Sequence, residues 1–292
     1  MARTLGVILT ERISAALVEG NRVAGEIRSY PDEEGDELQG MHAEALAAEL
    51  AVQIAGVLAG QEVAAIGLGV PGVIRSGIVE ESPNLQQLKG FNIKQSVEAS
   101  LRQKGVGTPV QICNDADVMA AGIAAVRGQL DRLIRVWTLG NGIGFGLYPS
   151  AEGVWEGGHS VVTLDPKEAY CGCGGVGHLE GIMGHRAMRL RFLDMEPEEV
   201  FEAAKRGDAR CTDFVKLWHR ALAAGTANSI HLDGPGRFYI AGPNADFLDV
   251  RLLGGYLQDM VKMSPLQGSY FQIVPTSHDM ALIGAAVASR AR

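Results

Sequence analysis

Residues 156–180 read EGGHSVVTLDPKEAYCGCGGVGHLE, and they carry more functional information than any other part of this 292-residue chain. Cys171, Cys173 and His178 lie within eight residues, and His159 lies twelve residues before Cys171. Two cysteine thiolates and two imidazoles form a complete ligand set for a tetrahedral zinc ion. The glycines among them suit a chain that must turn tightly to aim several side chains at one point. The pattern predicts a metal-binding loop.

A disulfide and a pair of idle thiols are the alternative interpretations of these cysteines. A disulfide between Cys171 and Cys173, which are separated by a single residue, would be strained. The chain shows no secretory signal, which argues for reduced thiols. Zinc is favoured over other metals because the ligands combine thiolate with imidazole. Since protein side chains fill all four positions, we expect the zinc to be structural rather than catalytic.

Two glutamates bracket the metal-binding loop. Glu156 precedes His159 by three residues, and Glu180 follows His178 by two. A folded loop would hold both carboxylates in fixed positions, where they can accept hydrogen bonds from sugar hydroxyls. The alternative is that both are ordinary surface charges.

The complete pattern resembles the signature of the ROK family (repressors, open reading frames and sugar kinases). That signature is Glu-x-Gly-His followed by Cys-x-Cys-Gly-x-x-Gly-Cys-x-Glu, and the corresponding segments here are 156–159 and 171–180. His178 stands where the family usually has a third cysteine, and histidine is itself a good zinc ligand. The segment between Gly146 and His159 is several residues shorter than is usual in the family.

Composition limits the classes of partner. Hydrophobic residues make up 47% of the chain and charged residues 21%, which is typical of a soluble globular protein. The net charge of −8 argues against a nucleic-acid or anionic-membrane surface. No apolar run has the length needed to cross a bilayer. We therefore expect a cytoplasmic protein that binds neither nucleic acid nor membrane.

The order of the predicted elements indicates two α/β lobes. Three strands followed by alternating helices and strands occur twice, and the second set includes a candidate third strand within 153–163 and a helix at roughly 181–193. This order favours two lobes with a cleft between them. We predict a small lobe from residues 1–114, with 279–292 as a candidate addition, and a larger lobe from 115–278 that carries the metal-binding loop. The resemblance implies the two-lobed actin-like, hexokinase-like (ribonuclease H-like) fold. A ROK repressor has a helix-turn-helix unit before the first strand, and this sequence shows none.

Asn114 and Asp115 lie where a predicted strand ends and a helix begins. Both residue types are favoured helix caps, and Asp115 is also a candidate general base for a sugar hydroxyl. The segment 114–117 resembles the family's Asn-Asp-Ala-Asn, in which the aspartate has that catalytic role. Segments 69–72 and 83–85 resemble the two family loops that line the sugar pocket, and the family's Glu-x-Gly-His histidine both binds zinc and faces the sugar. The resemblance thus implies seven sugar-binding residues: Gly72, Asn84, Asn114, Asp115, Glu156, His159 and Glu180.

The nucleotide side departs from the family pattern. The first phosphate loop, Asp-x-Gly-Gly-Thr, is replaced by Ile8-Leu9-Thr10-Glu11-Arg12, which lacks the aspartate and both glycines. The second, Gly-Thr-Gly-x-Gly, has Asn141 in place of threonine, and the third, a strand followed by three glycines, keeps only one of them. The resemblance implies nucleotide contacts at Gly140, Asn141, Gly142, Gly144 and Gly242.

Two functions follow from these motifs. The first is an ATP-dependent hexose kinase, with Mg²⁺ on the phosphates and Asp115 as the base. The second is a catalytically impaired pseudokinase that binds a sugar as a sensor or regulator. Glucose, mannose, N-acetylglucosamine and N-acetylmannosamine are the sugars that the family handles, and a homodimer or homotetramer is the assembly that the resemblance implies.

Overall fold

The computed structural model describes residues 3–32, 37–82, 84–149, 156–275 and 278–290. The strands are β1 (Thr4–Leu9), β2 (Ile13–Glu19), β3 (Arg22–Tyr30), β4 (Ile66–Val70), β5 (Val73–Arg75), β6 (Ile78–Glu81), β7 (Val110–Asn114), β8 (Ile134–Leu139), β9 (Ile143–Tyr148), β10 (Arg237–Ala241) and β11 (Tyr270–Ile273). The α-helices are α1 (Ala43–Leu58), α2 (Ile93–Gln103), α3 (Asp115–Val126), α4 (Leu179–Met183), α5 (His185–Arg191), α6 (Pro197–Lys205), α7 (Ala209–Asp233), α8 (Val250–Met260) and α9 (His278–Ala288).

The predicted two-lobed α/β fold class is confirmed. The first compact unit comprises Met1–Ile134, Gly146–Val154 and Ser277–Arg292, and the second comprises Arg135–Phe145 and Trp155–Thr276. Each unit has its own sheet and its own buried apolar core. No helix in the described part of the chain has both the length and the apolar character needed to cross a membrane.

The first unit is built on a five-stranded sheet of order β3-β2-β1-β4-β7. β1, β4 and β7 are parallel, while β2 and β3 extend the sheet in antiparallel fashion. On one face, Leu5 and Val7 belong to the same apolar cluster as Leu50 of α1. On the other face α9 packs directly against Gly6. A Cβ at Gly6 would lie 1.9 Å from the Leu282 carbonyl oxygen, so only glycine allows this approach. Both faces of β1 are therefore buried.

Helix α3 belongs to the first unit, whereas the sequence placed the lobe boundary at 114/115. Small residues explain the difference: a Cβ at Gly122 would lie 1.9 Å from the Met280 oxygen, and one at Gly284 would lie 1.8 Å from the Val118 oxygen. Such close approach of two helix backbones requires glycine. Ala121 of α3 and Ala286 of α9 are buried in the same cluster. The first unit is consequently the larger of the two by residue range.

The second unit contains a four-stranded sheet of order β11-β10-β8-β9. β8, β10 and β11 are parallel. Its core includes Trp137 of β8 and Trp218 of α7, the two largest fully buried side chains among the described residues. The Trp137 Nε1 donates to Thr226 Oγ1 at 3.0 Å, and the Trp218 Nε1 donates to the Met183 carbonyl at 3.2 Å. Both buried indole donors are thus satisfied.

Two predicted elements differ from those observed. A third strand was expected within 153–163, where residues 153–155 lie outside the described residues. Within the remainder, Gly157–His159 forms a 3-10 turn, and the one strand-like feature is an isolated bridge between Val161 and His178. The single helix expected over 181–193 is divided into α4 and α5 at Gly184, which is extended with φ −62 and ψ 141. The next amide, His185 N, donates to the Gly140 carbonyl at 3.0 Å.

Candidate functional site

The metal-binding loop is held by backbone hydrogen bonds around the bridge between Val161 and His178. Leu179 N donates to Ser160 O at 3.0 Å, and Val162 N donates to Gly177 O at 2.8 Å. Gly177 has φ +72, and a Cβ there would lie 1.9 Å from the Thr163 carbonyl oxygen. Only glycine fits this position without moving the backbone. The loop therefore returns His178 towards His159.

The structure brings the four predicted ligands together. Cys171 Sγ lies 3.4 Å from His159 Nδ1 and 3.4 Å from Cys173 Sγ, and Cys173 Sγ lies 3.3 Å from His178 Nδ1. All four donor atoms lie within 4.8 Å of one another. Zn–S and Zn–N bonds of about 2.3 and 2.0 Å give tetrahedral edges of roughly 3.3–3.8 Å. The donor set thus fits a tetrahedral metal ion.

Protonation of the ligands controls how a metal would bind. Burial raises the pKa of the Cys171 thiol to about 12, and the nearby Glu180 and Cys173 add to the effect. A metal must therefore displace a proton from this thiol, so affinity is expected to rise with pH. Burial and the neighbouring His159 lower the pKa of His178, which favours the neutral imidazole that binds metals.

A buried ion pair that sequence reasoning missed supports the loop. Arg191 of α5 pairs with both carboxylate oxygens of Glu168, one of them at 3.1 Å, and its guanidinium lies 4.4 Å from the centroid of the Tyr170 ring. Glu168 is only 7% exposed, and its carbonyl accepts from Gly177 N at 2.7 Å. Two-point arginine–carboxylate pairing adds geometric specificity. The 23 residues that separate the partners leave no local signal in the sequence.

Residues 140–146, which we call the glycine-rich loop, comprise the turn after β8 (140–142) and the first residues of β9. Gly140 N donates to Gly142 O at 3.0 Å, which closes the turn. Ile143 N donates to Glu180 Oε2 at 3.1 Å, while Glu180 Oε1 lies 3.5 Å from Cys171 Sγ. A Cβ at Gly142 would lie 2.5 Å from Glu180 Oε2. Glu180 therefore contacts both the metal-binding loop and the glycine-rich loop.

The third predicted phosphate element also lies beside the glycine-rich loop. β10 runs parallel to β8 with Ala241 opposite Thr138, so Gly242 follows the same sheet edge as Gly140. Asn244, which is 2% exposed, donates through Nδ2 to Gly140 O at 3.2 Å. Its Oδ1 lies 3.3 Å from His185 Nδ1. The family has glycine at position 244, and here a buried carboxamide occupies that position.

Phe145 packs the glycine-rich loop onto the core of the second unit. Its ring centroid lies 4.3 Å from that of Trp137, with the planes tilted by 40°. A Cβ at Gly157 would lie 2.5 Å from Phe145 Cβ and 3.1 Å from Trp137 Cζ3. Glu156 Oε2, on the residue before, lies 3.9 Å from His159 Nε2. The aromatic pair therefore lies beneath the start of the metal-binding loop.

In the first unit, two of the predicted sugar motifs meet at the carboxyl edge of the sheet. The register pairs Val70 with Asn114, so residues 69–72 and 114–115 follow neighbouring parallel strands. Asn114 caps α3, because its Oδ1 accepts from Ala116 N at 2.8 Å, and its Nδ2 donates to Gly72 O at 2.9 Å. Asn84 is exposed in the loop after β6. With Asn114 as the cap, Asp115 occupies the first turn as a half-buried carboxylate.

The first phosphate element is replaced by an apolar contact. Ile8 is 8% exposed and belongs to a cluster that includes Val118 of α3 and Leu282 of α9. A Cβ at Gly69 would lie 2.8 Å from Ile8 Cδ1. The turn that follows is tight, with Thr10 N donating to Arg12 O at 3.0 Å. An aliphatic side chain therefore fills the position at which the family has a carboxylate.

The chain is an α/β protein of two units, one with an Asn-Asp pair at a parallel sheet edge and the other with a Cys₂His₂ loop. The ROK family model matches residues 32–290. A glucokinase of Pyrobaculum calidifontis is 28% identical over 250 residues, covering 80% of this chain and 81% of that protein. A putative xylose repressor of Caldicellulosiruptor sp. is 36% identical over 134 residues, 42% of this chain and 31% of that protein. The crystal structure of a ROK hexokinase from Thermus thermophilus superposes with a TM-score of 0.77 at 25% identity, covering 99% of this chain and 98% of that one. This chain belongs to the ROK family.

Proposed function

We propose that this ROK protein is a sugar kinase that transfers the γ-phosphoryl group of Mg²⁺-bound ATP to a hexose, with glucose as the first candidate. The similarity to a glucokinase over four-fifths of the chain supports the choice of substrate class. The position of Asp115 carries the proposal. Asn114 is the cap of α3, and Asp115 follows it in the first turn, where its Oδ1 accepts from Ala116 N at 2.9 Å. A carboxylate held in this way at the sheet edge suits a general base.

In this mechanism Asp115 accepts the proton of the attacking sugar hydroxyl. The hydroxyl oxygen forms a bond to the γ-phosphorus, the bond from that phosphorus to the β,γ-bridging oxygen breaks, and ADP leaves. The proposed sugar contacts are Gly72, Asn84, Asn114, Asp115, Glu156, His159 and Glu180. The proposed nucleotide contacts are Gly140, Asn141, Gly142, Gly144 and Gly242, where glycine lets backbone amides approach phosphate closely.

Zinc is the metal that we propose for the Cys₂His₂ loop. His159, Cys171, Cys173 and His178 would hold it, and the protein fills all four positions. When bound, such an ion supplies structural order rather than an activated water. We further propose a cytoplasmic location, which keeps both thiols reduced, and a homodimer or homotetramer, which light scattering of the purified protein would test.

A second candidate function is sugar binding without phosphoryl transfer. The observation that favours it is the burial of Ile8, an aliphatic side chain at the position where the family pattern has the aspartate that helps to hold the metal–phosphate complex. The partial similarity to a putative repressor agrees with a non-catalytic sugar-binding role. Fold alone does not separate the two functions.

ADP release from Mg²⁺-ATP across a panel of hexoses and N-acetylhexosamines separates these candidates. We expect turnover with one sugar and a loss of at least about 10³-fold in Asp115→Asn, because the amide cannot accept the proton. The sugar-induced rise in melting temperature should persist in that variant. Turnover that Asp115→Asn leaves unchanged would remove Asp115 as the base. No turnover from protein that a sugar still stabilises would favour the second candidate.

A further inference from the structure

The segment after the metal ligand His178 contacts the glycine-rich loop at two points. Glu180 accepts the Ile143 amide at 3.1 Å, close to the middle of the loop. At the start of the loop, Gly140 O accepts from His185 N at 3.0 Å and from Asn244 Nδ2 at 3.2 Å. Gly184 N, between these contacts, donates to Glu180 O at 2.9 Å. The turn between α4 and α5 thus fixes both an amide and a carbonyl of the loop.

The metal-binding loop fixes the start of α4. His178 is the residue that precedes α4, and Glu180 is the second residue of that five-residue helix. His178 forms the isolated bridge with Val161, and the residue before it, Gly177, accepts a hydrogen bond from Val162 N. The backbone at His178 is therefore joined to the segment that follows His159. A metal that binds both His159 and His178 would lock this junction and, with it, the direction of the Glu180 carboxylate.

We propose that Glu180 is a positioning residue that couples metal occupancy to the conformation of the glycine-rich loop. With the metal bound, Glu180 holds the Ile143 amide, and the loop keeps the arrangement described above. After metal loss, α4 is free to shift, the carboxylate releases the amide, and the loop becomes mobile. The importance of this coupling for phosphoryl transfer rests on the proposed kinase function, whereas the coupling itself does not.

Gly142 provides an independent way to break the same contact. Its missing side chain leaves the space into which the carboxylate reaches, since a Cβ there would lie 2.5 Å from Glu180 Oε2. No contact this short is tolerated between a carbon and an oxygen, so Gly142→Ala must displace the carboxylate or the loop. This substitution mutates neither Glu180 nor any of the four metal ligands.

Hydrogen exchange followed by mass spectrometry, without sugar or nucleotide, tests the coupling in the full chain. Chelating the metal from the wild type should raise exchange across residues 140–146 roughly tenfold, because a hydrogen bond to a charged acceptor is lost. Glu180→Ala with its metal content verified should show the same rise, and chelation should add little to it. Glu180→Gln keeps an acceptor oxygen and should remain close to the wild type. Gly142→Ala should resemble Glu180→Ala.

Glu202→Ala is the matched control, since Glu202 is an exposed glutamate of the same unit that pairs only with Lys205 among the described residues. Its exchange pattern in 140–146 should equal that of the wild type. The proposal is overturned if chelation loosens residues 171–178 but leaves 140–146 protected. It is equally overturned if both Glu180→Ala and Gly142→Ala retain wild-type protection. Neither result depends on ADP release, so failure of the coupling and failure of the kinase function are distinguishable.

Discussion

Ile8 occupies a position where the family pattern has an aspartate, and its surroundings leave little room for a charge. It is packed among Val118, Leu282 and Ala285. A carboxylate there would be desolvated beside aliphatic side chains, which is costly without a partner. We expect Ile8→Asp to lower the free energy of unfolding by about 2–5 kcal/mol, measured by urea denaturation. Ile8→Val, the size control, should cost only about 0.5–1.5 kcal/mol. Equal stability of Ile8→Asp and the wild type would show that the surroundings of residue 8 accommodate a charged carboxylate.

His219 is a buried imidazole whose hydrogen bonds require the neutral form. Its Nδ1 lies 2.7 Å from the Val215 carbonyl, and its Nε2 accepts the Asp249 amide at 2.9 Å. Burial lowers the pKa of His219 below its ordinary value. The unfolded chain therefore takes up a proton first as the pH falls below about 6.5. The contribution to stability is present above that pH and is lost as the pH falls towards the folded pKa.

The expected outcome is a urea midpoint that decreases between pH 7.5 and pH 5.5. His219→Gln, which supplies a donor and an acceptor without titrating in this range, should reduce the slope of that decrease. His231, an exposed histidine on the same helix, provides the control His231→Gln, which should leave the slope unchanged. A slope that His219→Gln leaves at the wild-type value would assign the pH dependence to other groups.

At the scale of single elements, the cap of α3 combines a structural and a binding contribution. Asn114→Ala removes both the cap and the hydrogen bond to Gly72, and should cost about 1–2 kcal/mol of stability. Asn92 is the matched control, since it caps α2 through Gln95 N in the same unit but belongs to no sugar motif. Asn92→Ala should cost a similar amount in denaturation. Only Asn114→Ala should weaken sugar binding by calorimetry, and equal sugar affinities in both variants would argue against Asn114 as a sugar contact.

The clustering of the four predicted metal ligands was predictable because its information is local. The four ligands lie within twenty residues, and Gly177 between them is required by its close contact with the Thr163 carbonyl oxygen. By contrast, Asn244 reaches Gly140 across 104 residues, and Asp117 Oδ1 accepts the Leu147 amide across 30. Neither pairing has a periodic or composition signal, since it depends on which strands become neighbours. The division of the helix at Gly184 was missed for the same reason, because the amide after the break, His185 N, donates to Gly140 O in another segment.

At the scale of the whole molecule, two separate cores imply that metal loss affects one unit more than the other. The ligand set lies entirely in the second unit, whose core includes Trp137 and Trp218, whereas β1 and β4 belong to the core of the first. A ligand present at 10³ times its dissociation constant stabilises its binding unit by about 4 kcal/mol. Chelation should therefore lower the melting temperature of the second unit by on the order of 10 °C.

Hydrogen exchange near the melting point locates this effect. We expect β8 and β10 to lose protection in chelator, while β1 and β4 keep theirs. The double variant Cys171→Ser with Cys173→Ser, which removes two ligands, should reproduce the chelated protein and respond no further to chelator. Equal loss of protection in both sheets would show that the two units unfold as one cooperative body.

Trp137 gives the protein an optical reporter of its own. The indole lies against Phe145 of the glycine-rich loop and beneath Gly157, at the start of the metal-binding loop. Its emission wavelength depends on the polarity of these surroundings, so loosening of either segment would admit water and shift the emission to the red. Trp218 is the natural reference, because it is equally buried but packs against Phe201 and His219 instead. The sequence also contains Trp155, so the double variant Trp155→Phe with Trp218→Phe leaves Trp137 as the single tryptophan. Its emission would allow metal exchange and ligand binding to be followed in real time without any attached dye.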